Sequence, residues 1–263
     1  MRITIFAKGN LDVRDSLHSL RRGETVLWNG INEIVRSRFP GVTVRIRHEL
    51  WSRSDALLEA TGTVPAALLE RALPLDRDDL ATQFSRELFE SEADAFVLSV
   101  QPDVMAALTR HRLDGFLFHA RNLENWPAEE RAWVAREFTP TWFLSVEQSM
   151  QNLAAIVERL RSGSDAPILI YNMSAVVPGE SIRCYADFPE VVSTRIRRFN
   201  LGLIELSRQT GITIVDVDRI VAQKGADHLK FDALHMTVDG CRAVAEEVVE
   251  ALDELSHFSV AVG

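Results

Sequence analysis

The sequence predicts an α/β protein, a three-layer α/β/α sandwich in which helices cover both faces of a five-stranded parallel sheet. Three observations predict this fold class: apolar strand-like runs alternate with amphipathic helical segments, two of the central runs are almost continuously apolar, and no linker divides the chain. Strands that alternate with helices are typical of parallel sheets, whose central strands are buried on both faces. Because 263 residues suffice for one such unit, we expect residues 1–263 to form a single domain.

Five segments are predicted as strands by apolar or alternating patterns that follow turn signals or open the chain. In chain order they are residues 3–7, 42–47, 95–100, 168–171 and 212–217. Apolar residues at helical spacing predict the segments that connect them. These helices are residues 31–39, 79–91, 145–160, 191–209 and 238–255. Residues 111–143 are the least regular long stretch, and we expect a helical insertion or lid there.

The composition excludes several classes of protein. A formal net charge of −9 argues against a general nucleic-acid binder, and a hydrophobic content of 46% argues against disorder. Cys184 and Cys241 lie far apart and outside any Cys/His cluster, so we expect unpaired thiols and no metal or other cofactor. No run approaches the roughly 20 apolar residues of a membrane span, so we expect no membrane partner and a cytoplasmic location. Homo-oligomerisation is left open.

The strongest motif lies in the loop before the last predicted helix. In open parallel sheets, ligands bind beyond the carboxyl ends of the strands, and this loop belongs to that side. Residues 232–235 are Asp-Ala-Leu-His. A carboxylate three positions before a histidine can orient the imidazole, which then acts as a general base. The alternative is that Asp232 caps a turn and that His235 is a packed or surface histidine.

A candidate nucleophile follows the first predicted strand. Ser16 stands between Asp15 and Leu17, in a segment expected to begin a helix. At a helix start, free backbone N–H groups and the helix dipole can stabilise an oxyanion. The alternative is that Asp15 or Ser16 serves as a helix N-cap.

Together these motifs resemble those of the SGNH/GDSL hydrolases. That family opens with a strand followed by Gly-Asp-Ser-Leu and closes with Asp-x-x-His before its last helix. Here residues 14–17 are Arg-Asp-Ser-Leu, Trp28 follows at a typical distance, and Gly240 matches a glycine commonly found after the closing motif. The order of elements extends the resemblance over most of the chain, whereas the motifs match in detail only at its two ends.

The resemblance implies a flavodoxin-like sheet and a serine-dependent ester hydrolase of carboxylesterase or deacetylase type. Its catalytic residues would be Ser16, Asp232 and His235, acting through an acyl-enzyme on an ester of a small molecule or carbohydrate. Gln101 stands where the family has an oxyanion-binding asparagine, and it offers the same amide group. The alternative for Gln101 is that it closes a turn before Pro102.

The opening motif departs from the family pattern. The first strand leads into Gly9 and Asn10, and by that alignment the serine position falls on Leu11, which has no nucleophile. The alignment through Ser16 requires an insertion. If the nucleophile is lost, Asn10, Asp12 and His235 would still line a binding pocket. The sequence thus leaves open an acyltransferase, or a binding protein that keeps the fold without catalysis.

Arg14, beside the candidate nucleophile, has two interpretations. Its guanidinium would bind a carboxylate or phosphate of the substrate, or it is a solvated surface side chain.

Overall fold

The structure is a computed structural model that describes residues 1–50, 53–176, 178 and 190–258. Its strands are β1 (Arg2–Lys8), β2 (Leu20–Arg22), β3 (Thr25–Trp28), β4 (Thr43–Glu49), β5 (Ala95–Ser99), β6 (Thr109–His111), β7 (Leu117–Phe118), β8 (Phe138–Pro140), β9 (Ile168–Tyr171) and β10 (Thr213–Val215). Its helices are α1 (Leu11–Leu17), α2 (Ile31–Arg38), α3 (Ser54–Glu59), α4 (Ala66–Leu69), α5 (Arg77–Gln83), α6 (Glu87–Glu90), α7 (Gln101–Met105), α8 (Ala128–Glu137), α9 (Val146–Arg161), α10 (Val192–Thr210), α11 (Val217–Lys224), α12 (Ala226–Leu229) and α13 (Val238–Glu254), with a 3₁₀ helix at Leu123–Asn125.

The central sheet consists of five parallel strands in the order β10-β9-β5-β1-β4. Each of the five predicted strand segments forms one of these strands, so the predicted fold class is confirmed. Taken in chain order, the arrangement is the 2-1-3-4-5 order of flavodoxin-like sheets. The carboxyl ends of β1, β5, β9 and β10 therefore meet at one edge of the sheet.

The two faces of the sheet are covered by different helices. Side chains of β1 alternate between the faces: Ile3 and Ile5 join a core with residues of α2 and α13, whereas Phe6 joins a core with residues of α9 and α10. The predicted helix 145–160 corresponds to α9, and a capping box formed by Ser145 and Gln148 explains where it starts. The predicted helix 79–91 is wrong as one element, because it is divided into α5 and α6.

The predicted insertion contains more than helix. Between β5 and α9, a three-stranded antiparallel sheet in the order β7-β6-β8 lies together with α8. Trp126 and Trp133 are buried in a separate core of this region, shared with Leu68, Leu80 and Phe84 of the preceding segment. The region thus combines helix α8 with strands that the sequence analysis did not predict, since these strands are too short to show a period in the sequence.

Two further sequence predictions concern the cysteines and the membrane. Cys241 is a buried free thiol, whereas Cys184 lies outside the described residues. Over the described ranges, none of the helices combines the length and apolarity that a bilayer span would require.

A candidate active-site cleft at the carboxyl edge of the sheet

Asp232 and His235 are in direct contact in the loop before α13. His235 Nδ1 lies 2.8 Å from Asp232 Oδ2 and 3.0 Å from Oδ1. Asp232 Oδ1 also accepts hydrogen bonds from the main-chain N–H groups of Leu234 and His235, each at 2.8 Å. Burial raises the pKa of Asp232, but the hydrogen bonds from the His235 ring and from the two N–H groups outweigh it, so the pKa is lowered overall. Because an ionised carboxylate only accepts, Nδ1 carries the proton and Nε2 is the basic nitrogen.

The surrounding loop is held at both of its ends. Lys230 and Met236 form an antiparallel bridge. Thr237 caps α13, with its Oγ1 accepting from Gly240 N at 3.1 Å. A Cβ at Gly240 would collide with the Leu229 carbonyl oxygen and lie 3.1 Å from Met236 Cβ. The glycine after the motif therefore permits the close approach between α13 and the loop that presents the dyad.

A small cavity that is open to solvent adjoins this loop at the carboxyl edge of the sheet. Leu234 and Met236 contribute to its wall, whereas Asp232 and His235 themselves are not among its lining residues. The rest of the wall comes from β9, from the segments after β1, β5, β9 and β10, and from the loop before α13. Polar lining residues include Asp12, Gln101, Asn172, Ser174 and Lys230. The cavity thus lies where ligands bind in open parallel sheets.

Asp12, Ser99 and Gln101 form a connected polar group on the cavity side of α1. Ser99 Oγ donates to Asp12 Oδ2 and accepts from Gln101 N at 3.0 Å. Asp12 Oδ1 and Gln101 Oε1 are buried, and neither has a hydrogen-bond partner among the described residues. Burial raises the pKa of Asp12, while the hydrogen bonds from Ser99 and from main-chain groups oppose that shift.

Lys230 and Asn172 line the same cavity, although neither is among the residues predicted to be catalytic or to bind the oxyanion or substrate. Lys230 is 6% exposed, and its Nζ donates to the carbonyls of Ser174, Val176 and Ala233 at 3.1–3.4 Å. Asn172 Nδ2 donates to Asp216 at 2.8 Å. The signals in the sequence are a lysine two positions before the closing motif and an asparagine directly after the fourth strand.

Ser16 lies in the last turn of α1 and is fully buried. Its Oγ donates to the carbonyl of Asp12 at 2.7 Å and lies 3.1 Å from the carbonyl of Val13 and from the Tyr171 hydroxyl. The expectation that Ser16 stands near a helix start is therefore wrong, because α1 begins at Leu11. No hydrogen bond of the described residues joins Ser16 to His235. Its role as nucleophile stays a prediction, and its burial weighs against it.

The remaining predicted residues differ in their relation to the cavity. Gln101 lines it and is only 3% exposed. Asn10 is the N-cap residue of α1 but makes no side-chain capping bond. Arg14 has a 46% exposed side chain, and its Nε contacts Asp15 at 2.7 Å, as in the surface interpretation. Across the described parts of the chain, no group of three or more metal-ligating side chains is present.

Comparison with known proteins shows the fold. No protein-family model matches the chain, and no curated protein matches its sequence. In structure it is similar to a lipase/acylhydrolase from Enterococcus faecalis, with 14% identity, a TM-score of 0.51 and 97% of each chain covered. It is also similar to the acetyl xylan esterase AlAXEase, with 12% identity, a TM-score of 0.52, and 95% of this chain and 100% of that chain covered.

A third similar structure is Axe2, an acetylxylan esterase from Geobacillus stearothermophilus, with 10% identity and a TM-score of 0.51. The match covers 94% of this chain and 93% of that chain. The predicted resemblance to the SGNH/GDSL hydrolases is confirmed at the level of the fold.

Proposed function

We propose that the chain hydrolyses an ester of a small molecule or carbohydrate, with the Asp232–His235 pair as its general base. The observation that carries this proposal is the 2.8 Å contact between His235 Nδ1 and the Asp232 carboxylate, in a loop whose residues Leu234 and Met236 line the cavity. Solved proteins with this fold that are titled lipase/acylhydrolase and acetylxylan esterase support it.

The buried position of Ser16 favours a water molecule as the nucleophile. His235 Nε2 would take a proton from water as the water oxygen forms a bond to the ester carbonyl carbon. The carbonyl π electrons move to its oxygen, to which the Gln101 amide would donate a hydrogen bond. When the electron pair returns, the bond to the alkoxy oxygen breaks, and the leaving alcohol takes the proton from His235. Asp232 holds the ring in one tautomer and stabilises the imidazolium.

The test measures kcat/KM of the full chain on p-nitrophenyl acetate and on acetylated sugars. We expect His235→Gln to lower kcat/KM by roughly 10²–10⁴-fold, because it removes the general base. His228→Gln is the matched control, since this exposed histidine lies seven positions earlier and is not part of the Asp232–His235 pair, so its loss should leave the rate unchanged. Wild-type kcat/KM in the His235→Gln variant would refute the assignment.

A second candidate function is small-molecule binding without turnover. It is favoured by Leu11, which stands first in α1 directly after β1 and carries no nucleophile. In that case the folded protein hydrolyses none of the esters and is not labelled by a fluorophosphonate, yet acetylated sugars raise its Tm. Measurable ester turnover that depends on His235 excludes this candidate.

A further inference from the structure

We propose that Asp12 is a further catalytic residue, whose carboxyl group donates a hydrogen bond to the substrate's carbonyl oxygen as that oxygen becomes negatively charged. This inference rests on the ester hydrolysis proposed above and names a group that the closing motif does not contain. Asp12 would act beside the Gln101 amide, so that two donors meet the developing oxyanion.

The first observation that supports this role is the position of Asp12. It is the second residue of α1, and it lines the same cavity as Gln101 and the loop residues Leu234 and Met236 that flank His235. Asp12 and the residues on either side of His235 therefore border one space. An ester carbonyl in that space can meet a donor from Asp12 while water approaches from the side of His235.

The hydrogen bonds around Asp12 indicate which oxygen would carry a proton. Ser99 Oγ accepts from the Gln101 N–H and directs its own proton to Asp12 Oδ2. Oδ2 is thus already occupied as an acceptor, whereas Oδ1 is buried with no partner among the described residues. A proton on Oδ1 turns this unpaired acceptor into a donor.

The charges nearby do not favour an ionised Asp12. Burying a carboxylate is costly, and hydrogen bonds from Ser99 and from main-chain groups offset only part of that cost at Asp12. Burial is the largest influence on Asp12 and raises its pKa. Tyr171 and Cys241, from β9 and α13, have pKa values raised by burial and are neutral near pH 7.

Charged groups on neighbouring segments are engaged elsewhere. Arg14 and Asp15 of α1 pair with each other. Lys230, across the cavity, donates to three main-chain carbonyls.

A neutral carboxylic acid is a suitable oxyanion donor. It stabilises negative charge without transferring its proton, so the proton balance with water, His235 and the leaving alcohol is unchanged. Loss of one such donor typically lowers kcat by about 10²–10³-fold. Asparagine has nearly the same shape and presents an N–H donor, so it should preserve much of the effect.

The experiment compares Asp12→Ala, Asp12→Asn and the control Asp15→Asn in the full chain. We expect Asp12→Ala to lower kcat about 10²–10³-fold with little change in KM, and Asp12→Asn to remain within about tenfold of wild type. The wild-type kcat should fall at high pH as Asp12 ionises, and this fall should be absent in Asp12→Asn. In infrared spectra near pH 7, the C=O stretch of a protonated carboxyl should disappear in Asp12→Asn and persist in Asp15→Asn.

Different results would refute the proposed ester hydrolysis and the proposed role of Asp12. Wild-type kcat in Asp12→Ala, or no infrared band assignable to Asp12, overturns the role of Asp12 even when His235-dependent turnover is observed. If the wild type hydrolyses no ester while the band is present, the proposed hydrolysis fails, and the catalytic role of Asp12 fails with it although its protonation is established.

Discussion

The Ser16→Ala variant tests whether the Ser16 hydroxyl has a structural role or acts as the nucleophile. The Ser16 Oγ contacts two main-chain carbonyls of α1 and the Tyr171 hydroxyl, and both side chains are fully buried. Ser16→Ala removes the described partner of the Tyr171 hydroxyl. A buried polar group left unpaired costs about 1–3 kcal/mol, so we expect the free energy of unfolding to fall by that amount. Because the hydroxyl is enclosed, kcat/KM of the folded variant should match that of the wild type.

Tyr171→Phe completes the test as the other half of a double-mutant cycle. It leaves Ser16 with its main-chain acceptors, so the expected loss is about 0.5–1.5 kcal/mol, the net worth of one hydrogen bond. The double variant has no unpaired hydroxyl at Tyr171, and its loss should fall short of the sum of the single losses by about 1 kcal/mol. Urea unfolding followed by tryptophan fluorescence measures all four proteins, and ester hydrolysis is measured without denaturant.

The opposite pattern would refute the structural interpretation of Ser16. In that pattern, the free energy of unfolding of Ser16→Ala stays within about 0.5 kcal/mol of the wild type, as for an ordinary surface substitution, but the variant no longer hydrolyses esters. A fluorophosphonate adduct on Ser16 in the folded wild type would have the same meaning. Either result would require α1 to open during catalysis.

Three further changes test other parts of the structure. Burial raises the pKa of Asp103 to about 6, above its ordinary 3.8, so the wild type should lose about 2 kcal/mol of unfolding free energy as the pH rises from about 4 to about 6. Asp103→Asn should abolish this loss in urea titrations at the two pH values, and an unchanged loss would exclude Asp103 as its source. Leu11→Ser places a hydroxyl at the first residue of α1, and we expect mass spectrometry to find fluorophosphonate labelling there that His235→Gln removes; no labelling would mean that His235 does not reach this position. Gly240→Ala should lower the free energy of unfolding by about 1–3 kcal/mol through overpacking against Leu229, and kcat/KM should fall with it; a wild-type Tm and rate would contradict the close approach at α13.

The central sheet could be predicted from the sequence because each of its buried strands leaves a recognisable pattern within a short stretch of the chain. The strands β5 and β9 are buried on both faces, and such burial requires a continuous apolar run that no helix pattern interrupts. The strands β6, β7 and β8 have only two or three residues each, too few to show alternation. Their pairing depends on contacts with Trp133 and Phe138 within the insertion core, which a linear pattern does not contain.

In the candidate site, too, contacts between residues close in the sequence could be predicted, whereas contacts between distant residues could not. Asp232 and His235 lie three positions apart, and their contact follows from the loop that they share. The contacts of Asp12 with Ser99 and of Ser16 with Tyr171 join residues 87 and 155 positions apart. The dyad was therefore predictable from sequence, whereas the surroundings of Asp12 and Ser16 depend on how α1 packs against the sheet.

The start of α1 decides which of its residues can reach substrate. In a flavodoxin-like sheet, the cleft meets the residues directly after β1, which here are Gly9, Asn10 and the first turn of α1. Ser16 lies five residues beyond Leu11, about 7.5 Å further along the helix axis. The packing of α1 through Val13 and Leu17 turns the Ser16 side of the helix into the core. The Ser16 hydroxyl is therefore enclosed as the helix stands, whereas Asp12, in the first turn, is among the residues that line the cleft.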